Sequence, residues 1–297
     1  MSADALEEAR ARFDSGDFKA SRRMAIEALE GRPDDVELLR IAGRAGVELG
    51  AEDAVDQLAK VAELRPDEVE SWRDLGDAHA SDGRTAAAAE AFRRALEIDP
   101  GDETSLTALG HTAYATGNEG DAVSYLEQAA ERSAGASSAM ISLVDMYREM
   151  GQPEEALAAA LKIAQAAPDD MAAALDVAEL SLSVGRLDEA AQAFERIREI
   201  DDLADHDVYA LHGLIQVEIR RDGWERALEL AREASTVDRH GRTASVLAFA
   251  EAQAGEGGDD EPPPTREEVE GLLAASLAEH RQLHAEDRRA ESKELFA

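Results

Sequence analysis

The chain has 297 residues, no cysteine and a formal net charge of -34 at pH 7, a length that fits two ordinary domains or one extended array. Without cysteine there is no disulfide, no thiolate metal site and no cysteine nucleophile. With 65 acidic residues against 31 basic ones, global repulsion opposes any polyanion, so nucleic acid is not an expected partner.

Prolines recur at near-constant intervals, at Pro33, Pro66, Pro100 and Pro168, with Ala134 and Asp202 where the missing members fall. That is a period of about 34 residues, the mark of a solenoid whose units are too small to bury their apolar faces alone. Seven copies follow in order: 2–34, 35–68, 69–102, 103–136, 137–170, 171–204 and 208–241. Each reads as two amphipathic helices joined by a tight turn; in the third copy Trp72, Leu75 and Ala78 share one helix face. The turns carry Gly16, Gly50, Gly83, Gly117, Gly151, Gly185 and Gly223, residues suited to the left-handed conformation that ends a helix. Asp34, Asp35, Asp67 and Glu68 cluster where first helices begin and complement the helix dipole. One slot of the second helix is small throughout: Ser21, Ala54, Ala88, Ala122, Ala156, Ala190 and Ala227. Four residues later an apolar slot holds Ala25, Leu58, Phe92, Leu126, Ala160, Phe194 and Ala231.

Between the sixth and seventh copies three residues, Asp205-His206-Asp207, are inserted; they predict a change of direction in the array without a domain boundary. Residues 243–254 form a further first-type helix, completing an array over 1–254. Residues 255–264, Gly-rich and then Pro-rich, read as a linker. Residues 265–297 read as an amphipathic helix and tail, opened by the capping pattern Thr265-Arg266-Glu267-Glu268 and carrying Val269, Leu272, Leu273, Leu277 and Leu283. Two placements stay open for this helix: a cap on the end of the array, or an occupant of a groove, its own or another protein's. The last residues, Leu295-Phe296-Ala297, read as a frayed end or a short recognition tail.

The clearest copy carries a family resemblance. Trp72-Arg73-Asp74-Leu75-Gly76, then Ala88 and Phe92, then Pro100, resembles the tetratricopeptide repeat, with His79 in the slot where that family usually has Tyr. The resemblance implies an all-α fold, an α-solenoid of tandem helix-turn-helix repeats with a C-terminal helical cap. It implies a concave face built by the first helices, holding an extended peptide or a partner's helix. Carried over position by position, that face comprises Arg10 and Phe13, Arg73 and Asp77, Thr107, His111 and Tyr114, then Ile141, Asp145 and Arg148, then Glu179, and finally Tyr209, His212, Gln216 and Arg220. Arginine and aromatic residues are the types enriched at binding hot spots, which puts most of the contact energy on Arg73, Tyr114 and Arg148. Co-chaperones of this fold grip a C-terminal carboxylate through Lys and Asn; the one asparagine here, Asn118, falls in a turn, so that mode is not implied. Asp77, Asp145 and Glu179 favour a neutral or basic segment.

The chemistry of the residues points away from catalysis. There is no phosphate-binding Gly loop, nucleophile elbow or zinc-protease motif, and the one helix-spaced histidine pair, His280 and His284, lacks an evident third ligand. No enzyme activity, cofactor or metal is expected. No apolar run approaches the roughly 18 residues of a membrane span, and the acidic start Met1-Ser2-Ala3-Asp4 lacks a leader pattern, so a cytoplasmic protein is expected. Only Lys19, Lys60, Lys162 and Lys293 are lysines, which fits either a salty cytoplasm or a GC-rich genome. The expected function is a non-enzymatic protein-protein interaction scaffold; the alternative is self-assembly into homo-oligomers.

Overall fold

In a computed structural model, described over residues 2–132, 137–200, 204–238, 241, 243–255 and 263–279, every regular element is an α-helix. The repeats supply α1 (Ser2–Asp14), α2 (Phe18–Leu29), α3 (Val36–Glu48), α4 (Ala54–Leu64), α5 (Val69–Ser81), α6 (Thr85–Ile98), α7 (Glu103–Ala115) and α8 (Glu119–Arg132). They continue as α9 (Ser138–Glu149), α10 (Pro153–Ala166), α11 (Met171–Ser183), α12 (Leu187–Ile200), α13 (Ala204–Arg220) and α14 (Trp224–Val237). After these come α15 (Ala244–Gln253) and a last helix, α16, over 266–279. The fold is the all-helical solenoid that the repeats imply. It divides into two units, one up to Met140 and one from Ile141, and the division falls inside α9, not at the inserted residues. Among the described residues no helix is long and apolar enough to cross a membrane. Leu283, His280, His284, the tail from Leu295 and most of the linker lie outside the described residues.

Local chemistry starts and stops the helices. Asp35, Asp102 and Asp170 cap α3, α7 and α11, each accepting a backbone N–H of the first turn, which satisfies donors that the helix itself leaves unpaired. At six of the seven turns the glycine takes a left-handed φ, as at Gly83 (72°), and the next residue donates back to a carbonyl five positions earlier, as Arg84 N does to His79 O at 2.8 Å. The seventh turn corrects the expectation for Gly223. There Asp222 takes the left-handed φ of 55°, while Gly223, at φ -85°, starts α14. The inserted residues explain this: they extend α13 by a turn at its start and put the turn slot on 222, and Asp is among the few residues that tolerate the conformation. Prolines close the repeats, and their carbonyls accept from the next repeat, Lys60 Nζ to Pro33 O at 2.7 Å and Arg196 Nε to Pro168 O at 3.3 Å.

The core belongs to neighbours, not to single repeats. Val55, Leu58 and Ala62 of α4 cluster with Leu75 and Ala78 of α5 and Ala91 of α6; Ala88 and Phe92 of α6 cluster with Leu109 of α7. The apolar slot of the second helix drives into a gap in its own first helix. A Cβ built at Gly43, Gly76 or Gly110 would lie 2.5 Å from Leu58, 2.5 Å from Phe92 and 2.6 Å from Leu126 respectively. In the sixth copy Ala178 fills the gap, and Phe194 turns to the next first helix, its ring 2.2 Å from a Cβ at Gly213. Gly76→Ala is therefore expected to lower stability by about 1–3 kcal/mol through overpacking. Gly120→Ala, where nothing lies within 4 Å, is expected to be neutral or to stabilise by up to about 1 kcal/mol through helix propensity. Paired denaturant melts check the contrast; equal effects at both positions would remove the close approach as the reason for glycine at 76.

Candidate partner-binding face

In the unit up to Met140, α1 packs on α3 and α3 on α5, so successive first helices share one face. Arginines tie that face together. Arg10 donates to Glu37 at 2.6 Å; Arg40 reaches Glu68, Glu70 at 3.2 Å and Ser71 Oγ at 3.1 Å; Arg73 donates to Asp102 at 3.2 Å. Arg148 does the same in the second unit, donating to Asp176 at 2.8 Å. In each case an arginine of one first helix meets an acid at the start of the next or within it. The exposed Arg10–Glu37 pair contributes at most about 1 kcal/mol, while Arg40, Arg73 and Arg148 are partly or wholly buried; in each, the planar guanidinium fork fixes orientation. Arg73 and Arg148, read from the sequence as partner contacts, are thus already engaged within the chain, and any partner has to share them.

A cleft of about 310 Å³ opens on α1, α3 and α5. Phe13 and Ile41 supply its apolar surface, and Arg10, Arg44, Glu37 and Glu70 its charged rim. The Arg44 guanidinium lies over the Phe13 ring, 5.1 Å from its centroid, and Phe18 meets the same ring edge-on at 5.2 Å. Sequence reasoning found Arg10 and Phe13 but passed over the second copy, where the stretch from Gly50 to Ala54 is one residue shorter than that from Gly83 to Ala88. The signal was present: counted back 33 residues, Arg73 and Asp77 fall on Arg40 and Arg44, because the missing residue belongs to the turn after Gly50 and leaves the first helix in register.

Beside the cleft, Asp74 is buried and lies 3.2 Å from Arg40 Nε, yet neither atom finds an aligned hydrogen bond. Burial pushes the Asp74 carboxyl up to about 6; Arg44 and Arg40 pull it down, and Glu70 and Asp77 push it up. Asp77 is open to solvent, but the protein around it displaces enough water to raise its pKa as well, against the pull of Arg73 and Arg44. An exposed carboxyl with that much protein around it is what an inward-facing surface produces. Because the folded pKa of Asp74 exceeds its unfolded value, its contribution is most favourable at low pH and is lost as pH rises through about 6. Between pH 4.5 and 7 the wild type is expected to lose about 2 kcal/mol of stability relative to Asp74→Asn. Denaturant melts of both proteins across that range test it; a wild type that gains on the variant would mean that ion pairing with Arg40 outweighs burial.

The remaining predicted residues fall into three groups. On α7, His111 is exposed, Tyr114 is half-buried, and Thr107 carries a buried hydroxyl with no hydrogen-bond partner. In the second unit Ile141 and Asp145 are exposed, while Arg220 is exposed and donates to Leu182 O at 2.5 Å. Glu179, Tyr209, His212 and Gln216, expected to face a partner, are buried instead. Glu179 accepts from the Tyr209 hydroxyl at 3.1 Å, and the Tyr209 ring packs on Phe194. His212 is covered by α16, whose Ser276 hydroxyl lies 2.9 Å from its Nδ1. α16 thus lies against α13, the first helix of the last full repeat of its own chain. Among the described residues no group of three or more His, Asp or Glu is arranged to hold a metal ion.

No curated protein matches the sequence. Among solved structures, the chain is similar to the C-terminal part of a TPR repeat-containing protein of Cytophaga hutchinsonii, with TM-score 0.66 and 13% identity over 82% of this chain and 99% of that one. It is similar to pilF of Pseudomonas aeruginosa, with TM-score 0.54 and 13% identity over 68% and 92%. It is also similar to YrrB, described as a TPR protein with an unusual peptide-binding site, with TM-score 0.50 and 19% identity over 64% and 96%. These likenesses concern the fold. The tetratricopeptide repeat family itself matches over residues 6–54, 51–103 and 143–205, and a second form of the repeat matches over 79–144. With more than half of its length matched and the helix pairs in the corresponding places, the chain belongs to the tetratricopeptide repeat family.

Proposed function

We propose that the protein is a non-enzymatic interaction scaffold that holds a peptide or helix of another protein against the first helices α1, α3 and α5. The observation that carries this reading is the open cleft with the Arg44 guanidinium stacked on Phe13. An aromatic ring and an aliphatic side chain beside arginines of fixed orientation suit an apolar anchor residue flanked by polar ones, the usual composition of a binding hot spot. The acidic rim residues Glu37 and Glu70, on a chain of net charge -34, favour a neutral or basic segment over an acidic one. Positions on α13 drop out of this face, because α16 already covers His212 there.

A peptide-display library selected on the full chain tests the reading. Selected peptides are expected to carry an aliphatic or aromatic anchor with neutral or basic neighbours. They are expected to lose about tenfold or more in affinity for Phe13→Ala or Arg44→Glu, the cost of about 1.4 kcal/mol or more that truncating a hot spot brings. Leu64→Ala, at an exposed position on a second helix, serves as the control. Peptides that bind both cleft variants undiminished would remove the cleft from the function.

A further inference from the structure

The contact between α16 and α13 has two independently built sides. On the α13 side, Thr243 donates its hydroxyl to Asp238 Oδ2 at 2.8 Å, and a carboxylate only accepts. The Thr243 oxygen, 3.0 Å from His212 Nε2, therefore accepts the imidazole N–H, which leaves Nδ1 as the acceptor for the Ser276 hydroxyl. On this side His212 is held through Nε2 by Thr243, itself held by Asp238, and neither belongs to α16. On the other side, α16 carries its own start: Thr265 Oγ1 donates to Glu268 at 2.8 Å, and Arg266 pairs with Glu270 at 2.8 Å. It runs antiparallel to α13, with Arg266 bound to Ile219 O and Asp222 at one end and Ser276 on His212 toward the other. α16 buries one apolar stripe, Val269, Leu273 and Leu277, while Leu272 and Gly271 face out. Apart from its polar contacts and the Arg266 guanidinium over the Trp224 ring, α16 is held by these three buried aliphatic residues.

We propose that the His212 face of α13 is a helix-receiving site, that α16 is its exchangeable occupant, and that it admits in trans an amphipathic helix of the same pattern. That pattern is the one α16 displays: aliphatic residues at i, i+4 and i+8, a hydroxyl at i+7 for His212 Nδ1, and a basic residue at i-3 for the carbonyl and carboxylate at the end of α13. The site is separate from the cleft on α1, α3 and α5, so Phe13→Ala leaves it intact and the two readings fail independently.

The probe is a fluorescent peptide of residues 263–279, added to the full chain and to a full-length Leu273→Asp/Leu277→Asp variant whose own helix has lost its stripe. The variant is expected to bind the peptide, and the wild type at least tenfold more weakly, because the tethered helix competes at an effective concentration of roughly millimolar. A peptide carrying Ser276→Ala is expected to bind the variant about tenfold more weakly than the unaltered peptide. Equal binding to both chains, or binding to neither, overturns the proposal. Amide hydrogen exchange on the unaltered full chain decides independently of how the variant folds: residues 266–279 are expected to exchange faster than α13, and equal protection of the two helices overturns the exchangeable occupant.

Discussion

The close approach of paired helices is the constraint on which the structure rests. A helix of 11 to 14 residues cannot bury its apolar side alone, so the second helices of the second, third and fourth copies each push one side chain into the first helix where that helix has no Cβ, as Phe92 does at Gly76. This brings the helix axes together and lets the core pass from α4 to α5 and α6 without interruption. Once the pairs stack, α1, α3 and α5 lie side by side. The cleft is a result of that spacing, since Phe13 and Ile41 come from different repeats and nothing local brings them together.

Charge is arranged around the same constraint. Few cations are available in a chain with 65 acidic residues, and arginines of first helices are turned toward acids on the next. These pairs orient the guanidinium planes. Where the neighbours of a carboxylate are themselves half in protein and half in water, as at Asp74, burial wins over pairing and the acid titrates late. Asp74 is accordingly charged near neutral pH and loses its charge as pH falls through about 6.

The two units treat their first helices differently. In the first, Phe13, Arg44 and Asp77 remain accessible to a partner. In the second, α11 is buried on all sides from Ala173 to Leu182, and α16 lies on α13.

Much of this was legible in the sequence because it is local. The turn at Gly83, the Asp35 cap and the helix spans follow from residues within a few positions of one another, and a period of 34 residues repeats the signal until it is unmistakable. Even the shift of the last turn to Asp222 follows from counting three inserted residues. The sequence alone thus determined the family and the helix pairs, and offered candidate inward positions on first helices of every copy but the second. Tertiary structure decided which of those positions stay open. His212 has the spacing of a groove residue, but its exposure depends on a helix some 60 residues further along the chain. No local pattern encodes where that apolar stripe will settle, because burial is a property of the whole packed surface and not of the segment that carries the residue.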